Sequence, residues 1–527
     1  MLAWWGIRTM GVLGYPAWLW MDGAPTIDAL NPGEAHRFGP FLAACGRPIE
    51  SLRLGSLQLP IAVTPFVGGA AEWPGRILAA TGAHHDATMM LHLGMSAMLI
   101  GLVHRFVRIH GSAIAANAAA TLLATDWTHV FLRRALGGSE LVLSASALLC
   151  LWALWGRRWG GGRPGLAGLA LGFGVGIATN ITFALTAGAL AATAAIMRWD
   201  KPPLRPPLPS RWLPIGLALV VPLLPLLGAA VHRTLAGVDA LCSGPFEEWP
   251  LVLGMTGLPI EASRRTAVIM AWLGDGTAAL GTVWAASAPS WVSPLRFAGW
   301  IVVALGTWVA WQDTDKTPRF ALTRFCSVFV PLQVSLIALA APDLHHLSIA
   351  TVALMIWAGL ATEAVFGWFA PPRSARRAVA VFVGCLPWVV AGVWSIRSTD
   401  AILATVSSPT VAVDGQSRLV RLIERNSPER VVTLNHASAG MLDVLIPGVE
   451  FHHAWAGISD DPSALDRAVG AAVGAHLLRA PDPTSVTLRE SDLERAAARV
   501  GAELVAVDRL PDDAAVLYAV GSRTGLP

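Results

Sequence analysis

Hydrophobic positions along this chain fall into runs of membrane length rather than into the short amphipathic stretches of a soluble domain. The first run spans Leu2 to Trp20. Polar sequence carrying Asp22, Asp28, Glu34, Glu50, Glu72 and Asp86 then separates it from the rest. Further candidate spans fall at 87–107, 111–129, 140–156, 164–180, 181–197, 212–231, 295–312, 321–341, 346–369 and 376–396. The pattern predicts an α-helical polytopic membrane protein of about eleven transmembrane helices. The pair 164–197 is its weakest part, with Asn180 and Thr182 at the centre and no charged turn. The first run reads as an uncleaved signal-anchor, because it is long enough to span and no small-x-small site follows it. Arg8 inside it costs about 3 kcal/mol near mid-bilayer, which snorkelling or an acid in the bundle would relieve.

Charge orients the set. With the N-terminus inside, the inner loops 104–110, 156–163, 198–211, 312–324 and 370–377 carry a dense set of Arg and Lys, while the short outer connections carry only Arg133 and Arg134. By the positive-inside rule, a large first loop (21–86), a second large loop (232–294) and everything beyond 397 lie outside the cytoplasm. The expected division is a membrane module over 1–400 and a small extracytoplasmic α/β domain over 401–527. In that tail, 431–434, 503–510 and 515–520 read as strands, and 464–478 and 488–501 as helices. Thr487 and Glu490 are spaced as a capping box for the last helix.

Composition agrees. Charged residues make up 14% of the 527 and hydrophobic ones 54%, with mean hydropathy +0.55; soluble domains carry roughly 25% charged residues. Trp is abundant (23) and gathers at span ends, where its ring suits the interface. The five Cys are dispersed without metal or disulfide spacing. No metal or cofactor is indicated, a divalent ion has no ligand cluster to support it, and no nucleic-acid signature is present.

Several polar positions stand out. Glu34 opens a segment in which Ala35, Phe38, Leu42 and Cys45 recur at helical spacing after Asn31-Pro32. This is the pattern of an interfacial amphipathic helix. A carboxylate there suits a general base, and equally suits the positive end of a helix dipole. Asp126 falls at the outer end of the third span, with Arg133 and Arg134 beyond it. That is either a functional acid with a phosphate-binding pair or a salt-bridged helix end. His345 and His346 occupy a short outer turn, where hydrogen bonding to a headgroup or sugar fits better than metal ligation. His84-His85-Asp86 reads as a solvated surface.

In their order these positions resemble the GT-C superfamily of polytopic glycosyltransferases, in particular bacterial relatives of protein mannosyltransferases and of the enzyme that adds aminoarabinose to lipid A. The first-loop acidic motif is matched by Gly33-Glu34-Ala35 and a Pro-aromatic-x-Gly stretch by Pro65 to Gly68. Later motifs are matched by Val107 to Gly111, Asp126 to Arg134, Leu171 to Phe183, and His345-His346. The resemblance implies an inverting transferase that takes a sugar from a polyprenyl-phosphate donor to an extracytoplasmic lipid, glycan or protein acceptor, in the bacterial cytoplasmic membrane. Glu34 would be the base, with Asp28 as substitute and Asp126 as a further catalytic acid. Arg133, Arg134, Asn180, Arg264, Arg265, His345 and His346 would bind substrate or the donor phosphate. The chain departs from the family pattern at Gly33, at Asn180 where many relatives have Lys, and at Ala70, Ala71 and Glu72. A catalytically retired assembly subunit and a flippase of lipid-linked glycans are the alternatives.

Overall fold

A computed structural model of the protein describes residues 51–54, 57–60, 77, 85–126, 129, 139–159, 165–180, 182–197, 212–235, 269, 273, 291–312, 318–340, 347–369, 375–407, 421–434, 449–453, 462–479, 490–510 and 515–522. A short antiparallel hairpin comes first, β1 (Ser51–Leu54) and β2 (Leu57–Pro60), with Leu54 opposite Leu57. The helices of the bundle follow: α1 (His85–His110), α2 (Ala113–Thr125), α3 (Ser139–Trp159), α4 (Gly165–Thr179) and α5 (Phe183–Ile196). After these come α6 (Trp212–Leu235), α7 (Val292–Gln312), α8 (Pro318–Ala340), α9 (Ser348–Phe369) and α10 (Ala375–Ser407). Each expected span from 87 to 396 has a helix. The first run, 2–20, lies outside the described residues.

Among the described residues, four helices have the length and hydropathy to cross a membrane: Val292–Gln312, Phe320–Ile337, Ile349–Phe366 and Ala375–Trp394. Their burial separates inside from outside. The α9 window is 89% buried, against 33% for α7 and 39% for α10. A helix apolar all round belongs inside a bundle, and α9 packs against α2, α7, α8, α10 and α3. On α7 the exposed side chains Phe297, Ile301, Leu305 and Trp308 recur at spacings of four, four and three. On α10 Val379, Phe382, Val383, Leu386, Val390 and Trp394 form an equivalent stripe. Continuous apolar stripes of this kind are stable against lipid and not against water. Small residues let the helices close up: a Cβ on Gly359 of α9 would lie 2.7 Å from the backbone nitrogen of Ala119 on α2.

Two connections differ from the expected spans. Within the run 111–129, helix α2 ends at Thr125 and is capped by Asp126. Thr125 Oγ1 donates back to the carbonyl of Thr121 (2.9 Å) and Asp126 adopts an extended conformation, so the helix ends inside the bundle. Thirteen residues rise only about 20 Å, short of the roughly 30 Å hydrocarbon core. Between α4 and α5, Asn180 Oδ1 accepts both the backbone N–H (2.9 Å) and the hydroxyl (2.8 Å) of Thr182, which makes the turn without any charge.

The tail contains a five-stranded sheet in the order β4-β3-β5-β7-β6, formed by β3 (Arg430–Thr433), β4 (Glu450–His453), β5 (Ala475–Arg479), β6 (Ala502–Arg509) and β7 (Val516–Ser522). β3 pairs in parallel with β4 and β5, while β7 runs antiparallel to β5 and β6. Helices α11 (Pro462–Ala471) and α12 (Glu490–Val500) cover one face. Alternation separates two cores: Val432, Leu477, Val516 and Tyr518 pack with these helices, and Val431, Leu478 and Leu517 pack with Leu422 and Ile423 on the other face. The expected helix 464–478 is thereby corrected. It ends at Ala471, and Gly474, at φ +75°, turns the chain into strand β5. Strand β4 has no counterpart among the expected elements. Thr487 lies outside the described residues; Glu490 Oε1 accepts from Arg509 (2.9 Å) and from the Tyr518 hydroxyl (3.2 Å).

Candidate functional site

The end of α2 assembles a buried polar group from four separated parts of the chain. Asp126 caps the helix and is 5% exposed. Its Oδ1 accepts the backbone N–H of His129 at 3.1 Å, and Arg296, in the first turns of α7, reaches its Oδ2 at 3.4 Å. The His129 ring shares a 2.7 Å hydrogen bond with the buried hydroxyl of Ser96 on α1. The Arg296 guanidinium lies over the ring of Trp388 on α10, 5.2 Å from its centroid. Trp388 meets Trp300 edge-on at 5.3 Å, and Trp300 meets Trp357 of α9 at 6.1 Å. Trp300 and Trp357 spend their indole N–H groups on the Leu273 carbonyl (3.0 Å) and the Thr307 hydroxyl (2.9 Å).

Removing two opposite charges from water is expensive, and a buried pair recovers that cost only with good geometry and further hydrogen bonds. The bundle holds a second buried pair for comparison. Arg377 at the start of α10 reaches Glu363 near the end of α9 at 2.8 Å, an ordinary charge-assisted distance. The Asp126–Arg296 contact is looser by more than half an ångström. The two pairs are well separated along α10: Arg377 lies in its first turn, whereas Gly392 is the position that meets Thr125 at the end of α2.

The expected site residues fare unequally. Asp126 is buried and ion-paired, with a partner 170 residues away rather than at a neighbouring helix end. Asn180 is buried, but its side-chain oxygen is engaged in its own turn. Glu34, Asp28, Arg133, Arg134, Arg264, Arg265, His345 and His346 lie outside the described residues. Among the described residues no group of three His, Cys, Asp or Glu is placed to hold a metal. Sequence reasoning passed over Arg296, Trp388 and Ser96. The available signal was Arg296 itself, a single charge within an apolar, membrane-length segment.

Neither protein-family models nor curated protein sequences match the chain. Solved structures do. ArnT from Cupriavidus metallidurans in the apo state aligns over 100% of this chain and 99% of its own, with TM-score 0.51 and 11% identity. ArnT from the same organism bound to undecaprenyl phosphate aligns over 98% and 97%, with TM-score 0.49 and 12% identity. The oligosaccharyltransferase of Archaeoglobus fulgidus in the apo form aligns over 91% of this chain and 66% of its own, with TM-score 0.45 and 13% identity. Along its whole length the chain has a fold similar to that of apo ArnT.

Proposed function

We propose that this protein is an integral-membrane glycosyltransferase that moves a sugar, with inversion, from a polyprenyl-phosphate carrier to an acceptor outside the cytoplasm. The observation that carries this reading is the end-to-end fold likeness to ArnT, a protein also seen bound to undecaprenyl phosphate. The buried Asp126 group adds to it, because it lies at the bundle end that charge assigns to the outside. In this reading residues 1–400 form the catalytic module and 401–527 an extracytoplasmic α/β domain, with the N-terminus in the cytoplasm of a bacterial cell.

The chemistry asks for three things: a base for the acceptor hydroxyl, a cationic environment for the departing phosphate, and exclusion of water. Glu34, or Asp28 in its place, takes the proton as the acceptor oxygen attacks the anomeric carbon and the sugar–phosphate bond breaks. Arg133, Arg134, Arg264 and Arg265 are the basic candidates for the phosphate, with Asn180, His345 and His346 as polar ones. Asp126 supplies a fixed carboxylate at the rim of the same site. A second reading, an inactive assembly subunit, draws on one observation: Asn180, where many relatives have Lys, commits its side-chain oxygen to a turn.

Purified protein incubated with defined polyprenyl-phosphate sugars tests the proposal. Transfer or donor hydrolysis by the wild type, lost in Glu34→Gln and reduced in Asp126→Asn, is the expected result. Full turnover in Glu34→Gln removes the base assignment. Absence of turnover with every donor favours the assembly subunit.

A further inference from the structure

We propose that the exposed face of α1, beside α2, binds an anionic phospholipid, with the phosphate at Arg105 and Arg108 and an acyl chain along the trough at Gly101 and Gly94. The proposal goes beyond the glycosyltransferase reading and needs only that the bundle lies in a bilayer.

Two features lead there, and the first is a trough. Gly94, Met98, Gly101, Arg105 and Arg108 are all exposed and follow one another at spacings of four, three, four and three, so they share one face of α1. A Cβ at Gly94 or Gly101 meets nothing within 4 Å, whereas one at Gly172 or Gly359 in the same bundle runs into Cys150 or Ala119. Glycine costs a helix about 1 kcal/mol relative to alanine, and at Gly94 and Gly101 no described neighbour uses the space. Between them Met98 is 59% exposed, a flexible side chain able to fold along an apolar partner. From Gly94 to Arg105 the helix rises roughly 16 Å, close to half of the roughly 30 Å hydrocarbon core. The trough therefore has the depth of one leaflet and ends at two cations.

The second feature is the polar end of that trough. Arg296 and Arg377 are buried beside carboxylates. Arg105 and Arg108 are instead exposed, and among the described residues their side chains have neither an ion pair nor a hydrogen bond. Next to them Asn117 of α2 is exposed, and its Oδ1 lies 3.2 Å from His104 Nε2, which ties α2 to α1. An amide facing hydrocarbon is costly unless its donors are used, and the Asn117 NH2 group has no acceptor among the described residues. A phospholipid ester carbonyl, which sits just inside the phosphate, supplies one. Helix α2 begins at the same level, capped by Ser112 and without an acid in its first turn, so its N-terminal partial charge adds to that of the arginines. Cations, amide donor and apolar trough thus follow one another in the order of phosphate, ester and acyl chain. Two uncompensated cations call for an anionic lipid rather than a neutral one.

Native mass spectrometry of the full-length protein, delipidated in a neutral detergent and titrated with lipid, tests this. Phosphatidylglycerol should bind the wild type about ten-fold or more tightly than phosphatidylcholine with the same chains. Arg105→Gln and Arg108→Gln should each weaken phosphatidylglycerol about five-fold, the equivalent of about 1 kcal/mol per cation near the membrane surface, and together about twenty-five-fold. Gly101→Leu fills the trough, keeps both cations, and should weaken both lipids. Arg376→Gln removes an exposed cation elsewhere, on α10, and should change nothing. A monodisperse gel-filtration peak for each variant establishes that it has folded. Equal weakening by Arg376→Gln, or unchanged binding in Gly101→Leu, means diffuse surface charge and overturns the site. Glycerol 1-phosphate competing as well as the lipid does overturns it in favour of a free-anion site. A wild-type dimer that Gly101→Leu converts to a monomer makes the face a protein interface and overturns it too. None of these readouts involves turnover, so the glycosyltransferase reading stands or falls separately.

Discussion

Gly359 is the position where the packing of this bundle makes its sharpest quantitative demand. It lies on the central helix α9, and a methyl there would sit 2.7 Å from the Ala119 nitrogen, 2.8 Å from Ala119 Cβ and 2.9 Å from Ala119 Cα. Unstrained contacts between carbon atoms lie near 3.5–4.0 Å, so α2 and α9 would have to separate by roughly 1 Å. The obstructing atoms are backbone and Cβ, which no rotamer change can move. Overpacking of this kind costs about 1–3 kcal/mol. Against that stands the helix-propensity gain of Gly→Ala, about 1 kcal/mol. Gly101→Ala provides the internal control, because a Cβ at Gly101 meets nothing within 4 Å. The two variants share the same chemical change and differ only in surroundings. Gly101→Ala should therefore be neutral or slightly stabilising, and Gly359→Ala should fall below it by about 2 kcal/mol, the cost of the clash, because the propensity gain is common to both. Thermal unfolding in detergent, followed by loss of the monodisperse peak on gel filtration, measures the gap. Because α2 ends at Asp126, Gly359→Ala should also disturb the Asp126 group. Equal melting of the two variants would refute the packing argument.

Other outcomes follow from the same structure. Glu363→Gln or Arg377→Met alone should lower stability by about 3–5 kcal/mol, whereas the apolar double variant Glu363→Met/Arg377→Met should recover most of it, as measured by the same melts. Tyr518 is pushed up to about 12, chiefly by burial and also by the Glu490 carboxylate, with Arg479 and Arg509 opposing. The folded state therefore keeps a proton that the unfolded chain releases near 10. The resulting stability is complete below about pH 10 and is lost as pH rises through about 12. Tyr15→Phe leaves Tyr518 as the sole tyrosine, so phenolate absorbance reports it directly, and Glu490→Gln should lower the midpoint. Gly474→Val should destabilise the tail by about 1–2 kcal/mol, since a β-branched residue resists φ +75°; far-ultraviolet circular dichroism melts of the purified protein would register it.

How much of this was legible beforehand varies with the physical scale of the signal. Membrane-length apolar runs are a one-dimensional property, and the helices α1 to α10 appear where the runs are. Strand periodicity in the tail was equally visible in Val431-Val432 and in the run from Ala515 to Val520. The helix expected over 464–478 stops at Ala471 because Ala and Leu suit both helix and buried strand, and Gly474, at positive φ, divides the two. Strand β4 escaped notice because four residues, Glu450 to His453, carry no alternation strong enough to detect.

The site divides in the same way. Asp126 could be picked out locally as a charge at the end of an apolar run. Its partner could not. Arg296 is 170 positions away, and the sequence between holds many other cations that are equally good on charge alone. Only the packing of α7 and α2 against the same two helices, α9 and α10, selects it, because in a low-dielectric interior the nearest ion matters most. The sequence by itself therefore determined the membrane class and the spans from 87 to 396, which depend on transfer free energies summed along the chain. Tertiary structure decided which acid meets which base, which tryptophan backs it, and where α2 ends inside the bundle, because those depend on distances between segments.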